Sequence, residues 1–238
     1  MAVHFKGPIL NNVTHAGSRA FFSDLPAGVV QNDYVVRFND FLLTSENPSF
    51  GTFESYDEIK TGTGTIAQAA DAKAGGITLT TSGASGDIIG YFDDEASYAL
   101  TGGTKLWFEA KCTLGSVANV KFGLGLASST TSIISNTNKI AMIFDTANST
   151  SGTQWICQNT ASSTSTTTAS GVTASAASYV VGFRWDGSAV YYYLNRSLVA
   201  THTTNIPTAA LGIQVLVHTT AVATKALAVD YHMAVQER

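Results

Sequence analysis

Tyr179-Val-Val-Gly-Phe-Arg-Trp185, then Asp186-Gly187-Ser188, then Ala189-Val-Tyr-Tyr-Tyr-Leu194, then Asn195-Arg196-Ser197, then Leu198-Val-Ala-Thr201 is the passage that decides the fold. Each long run is rich in β-branched and aromatic residues, and each break is a short polar pair. Asp-Gly and Asn-Arg suit tight hairpin turns that accept positive φ, so three strands are expected to meander side by side. The same punctuation continues in both directions. Strands are expected over Gly76–Thr81, Asp87–Phe92, Lys105–Leu114, Val120–Ala127, Lys139–Phe144, Thr153–Gln158, Ala209–His218 and Lys225–Gln236.

Gly76–Thr81 with Asp87–Phe92, and Lys139–Phe144 with Thr153–Gln158, read as neighbouring pairs. In Lys105–Leu114 the alternation puts Leu106, Phe108, Ala110 and Cys112 on one face and Trp107, Glu109 and Lys111 on the other, the pattern of a half-buried antiparallel strand. Gly123 and Gly125 share one face of their strand and leave room for something bulky from the opposing layer. The Ser/Thr/Ala tract from Asn159 to Ala177 reads as a weakly ordered loop or edge with one short strand near Thr166–Ala169. No window holds a sustained helical period. Twelve or so short strands, each with one apolar face, must close into two packed sheets, because one sheet alone leaves that face wet. The fold class is therefore all-β, a two-sheet antiparallel jelly-roll sandwich.

Residues 1–50 differ. Phe5, Phe21, Phe22, Phe38, Phe41 and Phe50 are scattered among Pro8, Pro26 and Pro48, with no period that lasts. The stretch reads as an extended arm with short strands at Asp33–Phe38 and Phe41–Thr44, followed by a sandwich domain over residues 51–238. Such an arm must lay its rings on its own domain or on a neighbouring subunit, so Phe5, Pro8, Phe21, Phe22, Phe38, Phe41 and Phe50 are candidate interface residues.

Charged residues are 13% of the 238-residue chain and the formal net charge is -4. That is about half the charge of an ordinary soluble domain, and it offers no basic stripe for nucleic acid. No apolar run reaches the length of about 18 residues that spans a bilayer, and no signal peptide is read at the N-terminus. Synthesis in a reducing cytoplasm is the expectation, and Cys112 and Cys157 read as two free buried thiols, with a disulfide between them as the alternative.

The meander and the closing strand Leu227-Ala-Val-Asp-Tyr-His-Met-Ala-Val-Gln-Glu-Arg238 resemble the concanavalin A-like lectin/glucanase superfamily. Within it, Gly7-Pro8 with its Phe-rich lead-in, the Lys105–Ala110 strand and Phe122-Gly-Leu-Gly-Leu126 are most similar to capsid decoration and virion surface proteins of tailed phages. The likeness covers residue 76 to the end and is poor over the arm. It implies a structural protein on the virion surface, made in the host cytoplasm, that partners itself as a homotrimer or other small symmetric oligomer and binds the major capsid protein or other virion subunits. It transfers no functional residues.

The pattern of charges offers no catalytic set. Glycoside hydrolysis in this superfamily needs two carboxylates flanking the sugar, usually from alternating positions of one strand, and no Glu-x-Asp-x-Glu run is present. Asp93, Asp94 and Glu95 are contiguous and read as a solvated turn, and Glu109 stands alone. The five histidines show no zinc spacing; His202, His218 and His232 lie on late strands and read as ordinary strand histidines. Asp186-Gly-Ser is a hairpin turn before it is a calcium loop. The expectation is no catalytic residue, no metal, no cofactor and no enzyme. Carbohydrate stays open as a ligand in an alternative reading, a lectin-like module or receptor-binding fibre or tail component, with Trp107, Trp155, Trp185 and Tyr192 as sugar-stacking rings.

Overall fold

The computed structural model describes residues 34–39, 41, 56–68, 75–148 and 152–237, without the side chains of Tyr34 and of residues 94–97. Within these residues fifteen strands and no helix are found. They are β1 (Tyr34–Asn39), β2 (Asp57–Thr61), β3 (Thr65–Gln68), β4 (Ile77–Thr80), β5 (Ile88–Tyr98), β6 (Leu106–Leu114), β7 (Val120–Ala127), β8 (Lys139–Asp145), β9 (Gln154–Ala161), β10 (Thr164–Thr173), β11 (Ser178–Trp185), β12 (Val190–Leu194), β13 (Ser197–His202), β14 (Leu211–Thr219) and β15 (Ala226–Glu237). Sheet A runs β13-β12-β11-β6-β15-β4-β3, with β1 also paired to β15. Sheet B runs β10-β9-β8-β7-β14-β5-β2. Every pairing is antiparallel. This is the jelly-roll sandwich expected from the strand pattern.

The decisive meander forms as read. Asn195 and Arg196 both take positive φ, 50° and 63°, in a two-residue turn between β12 and β13, and Gly187 takes 98° in the turn before β12. In that turn the Asp186 carboxylate accepts from the Ser188 amide, the Ser188 hydroxyl and the Ala189 amide at 2.8–2.9 Å. Burial pushes its pKa up, but these hydrogen bonds outweigh burial and hold it at about 2. The carboxylate is thus committed to its own loop, as a turn residue is.

Between the sheets the inward residues of each strand meet as an aromatic seam. Phe108 stacks on Phe183 at 5.0 Å, Phe144 packs on Phe122 and Trp155, and Tyr192 sits between Phe183 and His202. Cys112 and Cys157 are buried free thiols whose pKa values burial raises to about 12.

Several expectations are corrected. Gly76–Thr81 and Asp87–Phe92 are not a hairpin: β4 lies in sheet A and β5 in sheet B, so the turn between them crosses layers. The strand begun at Ile88 does not end at Phe92 but runs to Tyr98, and Asp93 is fully buried rather than in a solvated turn. The Ser/Thr tract is a ten-residue edge strand, β10, joined to β9 through Ser162 and Ser163, both at positive φ. Part of the stretch read as an arm lies on its own domain: β1 pairs with β15 in register from Tyr34↔Glu237 to Asn39↔His232. Phe41 is a core residue, edge-on to Tyr91 and His232.

Candidate functional site

Two outer faces of the sandwich gather polar or apolar groups that the core does not explain. The first is the outer face of sheet B. Alternation places Leu216 of β14, Gly123 of β7, Ile143 of β8 and Ile156 of β9 in one row across it. Such a row would be wet, but the connection between β7 and β8, residues 128–138, folds back over it. Ile133 and Ile134 from this strap cluster with Ala127, Ala141, Ile143, Ile156, Leu216 and Ile88. A Cβ on Gly123 would clash with the Ile133 Cγ2, so the glycine is the slot in which Ile133 sits. The bulky neighbour expected there comes from the chain's own connection, not from the opposing sheet.

Polar bonds fasten the strap at both ends. Gln214 Nε2 donates to the carbonyls of Ser129 and Thr131 at 2.9 and 3.1 Å, and Lys139 Nζ donates to the Ile134 carbonyl at 2.5 Å. Burial lowers the Lys139 pKa to about 8. Beyond the strap, the next outward row reads His218, Lys121, Asp145 on β14, β7 and β8. Lys121 pairs with Asp145 at 3.0 Å. Burial, then Lys121, lower the His218 pKa, against an opposing pull from Asp145.

The second is the outer face of sheet A. Glu109 on β6, expected to be exposed and alone, is 2% exposed. Arg196 reaches over Gly182 from the β12–β13 turn and donates to both carboxylate oxygens, Nε at 3.2 Å and Nη2 at 3.0 Å. The Tyr231 hydroxyl donates to the same carboxylate at 2.6 Å. One buried charge thus ties the turn to β6 and β15 with charge-assisted bonds. Towards β1 the face becomes apolar: Val36 and Phe38 oppose Val235 and Met233, and Phe38 lies 6.1 Å from Tyr231. Phe38 is 58% exposed and Val36 45%.

The residues expected to stack on sugar are not accessible for it. Trp155 and Tyr192 lie in the core, Trp107 has no exposure although it points to the outer face of sheet A, and Trp185 is buried. Tyr192 donates to Asn159 inside the sandwich. Of the candidate interface residues, Phe41 is internal and Phe38 is on the surface, while Phe5, Pro8, Phe21, Phe22 and Phe50 lie outside the described residues. His202, His218 and His232 do not converge: His202 bonds Thr168 beside Tyr192, His218 faces outward from sheet B, and His232 is buried between Tyr56 and Tyr91. Among the described residues, no group of three potential metal ligands is found.

No local signal in the sequence points to the Arg37–Asp93 pair. Its guanidinium Nε donates to the Asp93 carboxylate at 2.7 Å and joins β1 to β5 across the two sheets. Neither partner is near the other in sequence, and Asp93 stands beside two further acids. The strap was missed as well, though Ile133-Ile134 inside a Ser/Thr stretch was a readable sign.

No family model matches the sequence, and no curated protein matches it either. Solved structures do match, at the level of fold. A Bacillus licheniformis β-glucanase superposes with a TM-score of 0.56 at 12% identity, over 84% of this chain and 97% of that one. A Bacteroides ovatus endo-glucanase of glycoside hydrolase family 16 gives 0.59 at 10% identity, over 82% and 98%. A Shewanella oneidensis protein of unknown function gives 0.60 at 11% identity, over 94% and 95%. The chain has the concanavalin A-like jelly roll of the glucanases. The expectation that it is not an enzyme is overturned by these neighbours, which include glucanases, a transglycosylase and a glycosidic hydrolase.

Proposed function

We propose that this chain is a surface subunit of a virus particle, of the kind that decorates the head of a tailed phage, and that it grips neighbouring subunits through the apolar outer face of β1 and β15. The observation that carries this reading is the contiguous patch of Val36, Phe38, Met233 and Tyr231. Single exposed apolar side chains are ordinary, but a contiguous cluster marks a contact surface. The weakly charged surface and the similarity of the Gly7-Pro8 lead-in and the Phe122–Leu126 strand to phage virion proteins support the same reading. The partners in this proposal are a second copy of the chain and the shell protein, and the place of action is the virion surface. A ligand that binds the assembled shell and not its separated subunits stabilises the shell by linkage. Val36→Ser with Phe38→Ser tests it. The pair is expected to abolish co-purification with gradient-purified particles of the encoding virus while leaving the thermal midpoint of the free chain unchanged. Co-purification at the wild-type level would remove the reading.

A second reading, carbohydrate binding or processing, is favoured by the glucanase fold together with the His218, Lys121 and Asp145 row on sheet B. Retention on immobilised β-1,3-1,4-glucan, the polymer in the name of one structural neighbour, and release of reducing ends are the two assays. Both are expected to fall at least about tenfold in Asp145→Asn, roughly the loss of one charge-assisted bond. No retention and no release from the wild-type chain would discard this reading.

A further inference from the structure

Strand edges are templates for further strands, and proteins guard them with charge, shortness, bulges or proline. The two ends of this sandwich are guarded unequally. At one end β2 carries Asp57, Glu58 and Lys60, all exposed, and β3 has only four residues. At the other end sheet B closes on β10, Thr164-Ser-Thr-Thr-Thr-Ala-Ser-Gly-Val-Thr173, and sheet A on β13, Ser197-Leu-Val-Ala-Thr-His202. Neither strand holds an acid, a lysine, an arginine or a proline. From Thr146 to Phe183 the chain contains no charged residue at all.

The guard on β13 is a register shift in its pairing with β12, between Tyr192 and Tyr193. The guard on β10 is a bulge between Ala169 and Thr173, with Gly171 at φ 75°. That bulge leaves Thr164–Ala169 regular. This stretch pairs with β9 on one side, and among the described residues no strand pairs with the other. Its inward side chains are already tied down: Thr166 bonds Thr204 and Asn205, and Thr168 bonds His202. The edge is therefore held flat against the β13 side rather than free to curl.

We infer that β10 pairs antiparallel with β10 of a second copy of this chain, joining the two B sheets into one continuous sheet across a two-fold axis. An open edge takes an extended backbone, and three features select the chain's own. A two-fold axis perpendicular to the sheet keeps outer face on outer face and core on core, so residues of like orientation must pair. With the axis at Thr167, that residue faces itself, Thr166 faces Thr168 of the second copy and Ser165 faces Ala169. Every such pair is small and uncharged, so both copies supply compatible side chains. The molecule carries a net charge of -4, and its charge-free end is where two copies approach with least repulsion. A closed isologous pair is also the commonest form of association. The inference holds for either functional reading.

The test uses the full chain. Light scattering is expected to give a dimer mass, and Thr167→Lys, which sets two ammonium groups opposite each other on an exposed face, is expected to raise the dimer dissociation constant by about tenfold or more. Thr167→Val is expected to keep the dimer. Under mild oxidation Thr167→Cys is expected to form a covalent dimer, since facing residues have Cβ atoms close to disulfide reach. Val222→Cys, 84% exposed and far from the edge in sequence, is expected to form no covalent dimer on the same timescale; the native thiols are buried. A monomer throughout, or a dimer or trimer that survives Thr167→Lys, would overturn the pairing. So would an oligomer lost in Phe38→Ser and kept in Thr167→Lys, because its contact would be the β1 face.

Discussion

Asp93 is fully buried, and Arg37, a quarter exposed, is the cation bonded to it. Removing the cation alone leaves a carboxylate without its charge partner in a site closed to water, which costs more than the pair contributes. Arg37→Met is expected to destabilise by about 2–3 kcal/mol, less than for a wholly buried pair because the guanidinium is partly solvated. Adding Asp93→Asn is expected to recover part of that loss, as read by urea midpoints in a double-mutant cycle; independent losses that simply add would show that the two do not act as a pair. His232 shows the opposite device, a titratable group kept neutral. Tyr91 lies 2.8 Å from its Nδ1 and Tyr56 3.3 Å from its Nε2, and burial, then the Arg37 charge, lower its pKa to about 3. Between that value and the ordinary one near 6.5, the unfolded chain binds a proton that the folded chain refuses. The contribution of this group to stability is therefore expected to be flat above pH 6.5 and to fall as pH drops towards 3, by up to about 1.4 kcal/mol per pH unit. The depressed His202 and His218 act in the same direction. Unfolding free energies at pH 7.5, 6 and 5 check it, and a flat profile would mean that His232 is protonated in the folded state.

At the scale of the element, the strap over sheet B turns a sheet face into an interior. Ile133 fills the space above Gly123, so Gly123→Ala puts a methyl into an occupied slot and is expected to cost about 1–3 kcal/mol. Shortening the occupant with Ile133→Ala in the same chain is expected to relieve most of that, and a urea midpoint no better in the double variant than in Gly123→Ala would mean that the clash lies elsewhere. This element also marks how far the sequence could be read. Strands such as β6 and the β11–β13 meander were legible because alternation and turn residues are local signals, and Asn195-Arg196 announces its own turn. The Ser162-Ser163 turn lacks the Asn or Gly that usually supplies positive φ, so the tract reads only as a loop or edge with one short strand, and its edge position is legible while its length is not. Glu109 was judged by its own strand, and nothing local says that Arg196 will reach it across β11. Trp107 and Tyr192 read as sugar-stacking rings in the alternative reading, but Trp107 has no exposure on its outer face and Tyr192 lies in the core. Site residues depend on which surface another segment covers, and that is a long-range property.

At the scale of the whole molecule, the question is where the sandwich begins. The shift to regular strand signals after residue 50 suggests an arm ending there, yet three independent contacts draw earlier residues inward. β1 lengthens sheet A beside β15, Arg37 bridges to Asp93 in sheet B, and Phe41 packs on Tyr91 and His232 with its amide held by the Asn39 side chain at 2.7 Å. Asn39 in turn donates to Tyr56 at 2.7 Å, whose hydroxyl reaches His232. The layers are therefore pinned at this end through β1 rather than through the core of residues 51–238 alone. A chain that starts at residue 34 is expected to keep the urea midpoint of the full chain. One that starts at residue 51 is expected to lose at least about 3 kcal/mol, the order of removing one buried phenylalanine, and to lose with it the pH dependence assigned to His232, which opens to water. Equal midpoints for the two truncations would support the boundary at residue 50 and make β1 an appendage. The predicted difference would make β1 part of the fold, so that its exposed Val36 and Phe38 face is presented by a rigid element, as a specific contact surface requires.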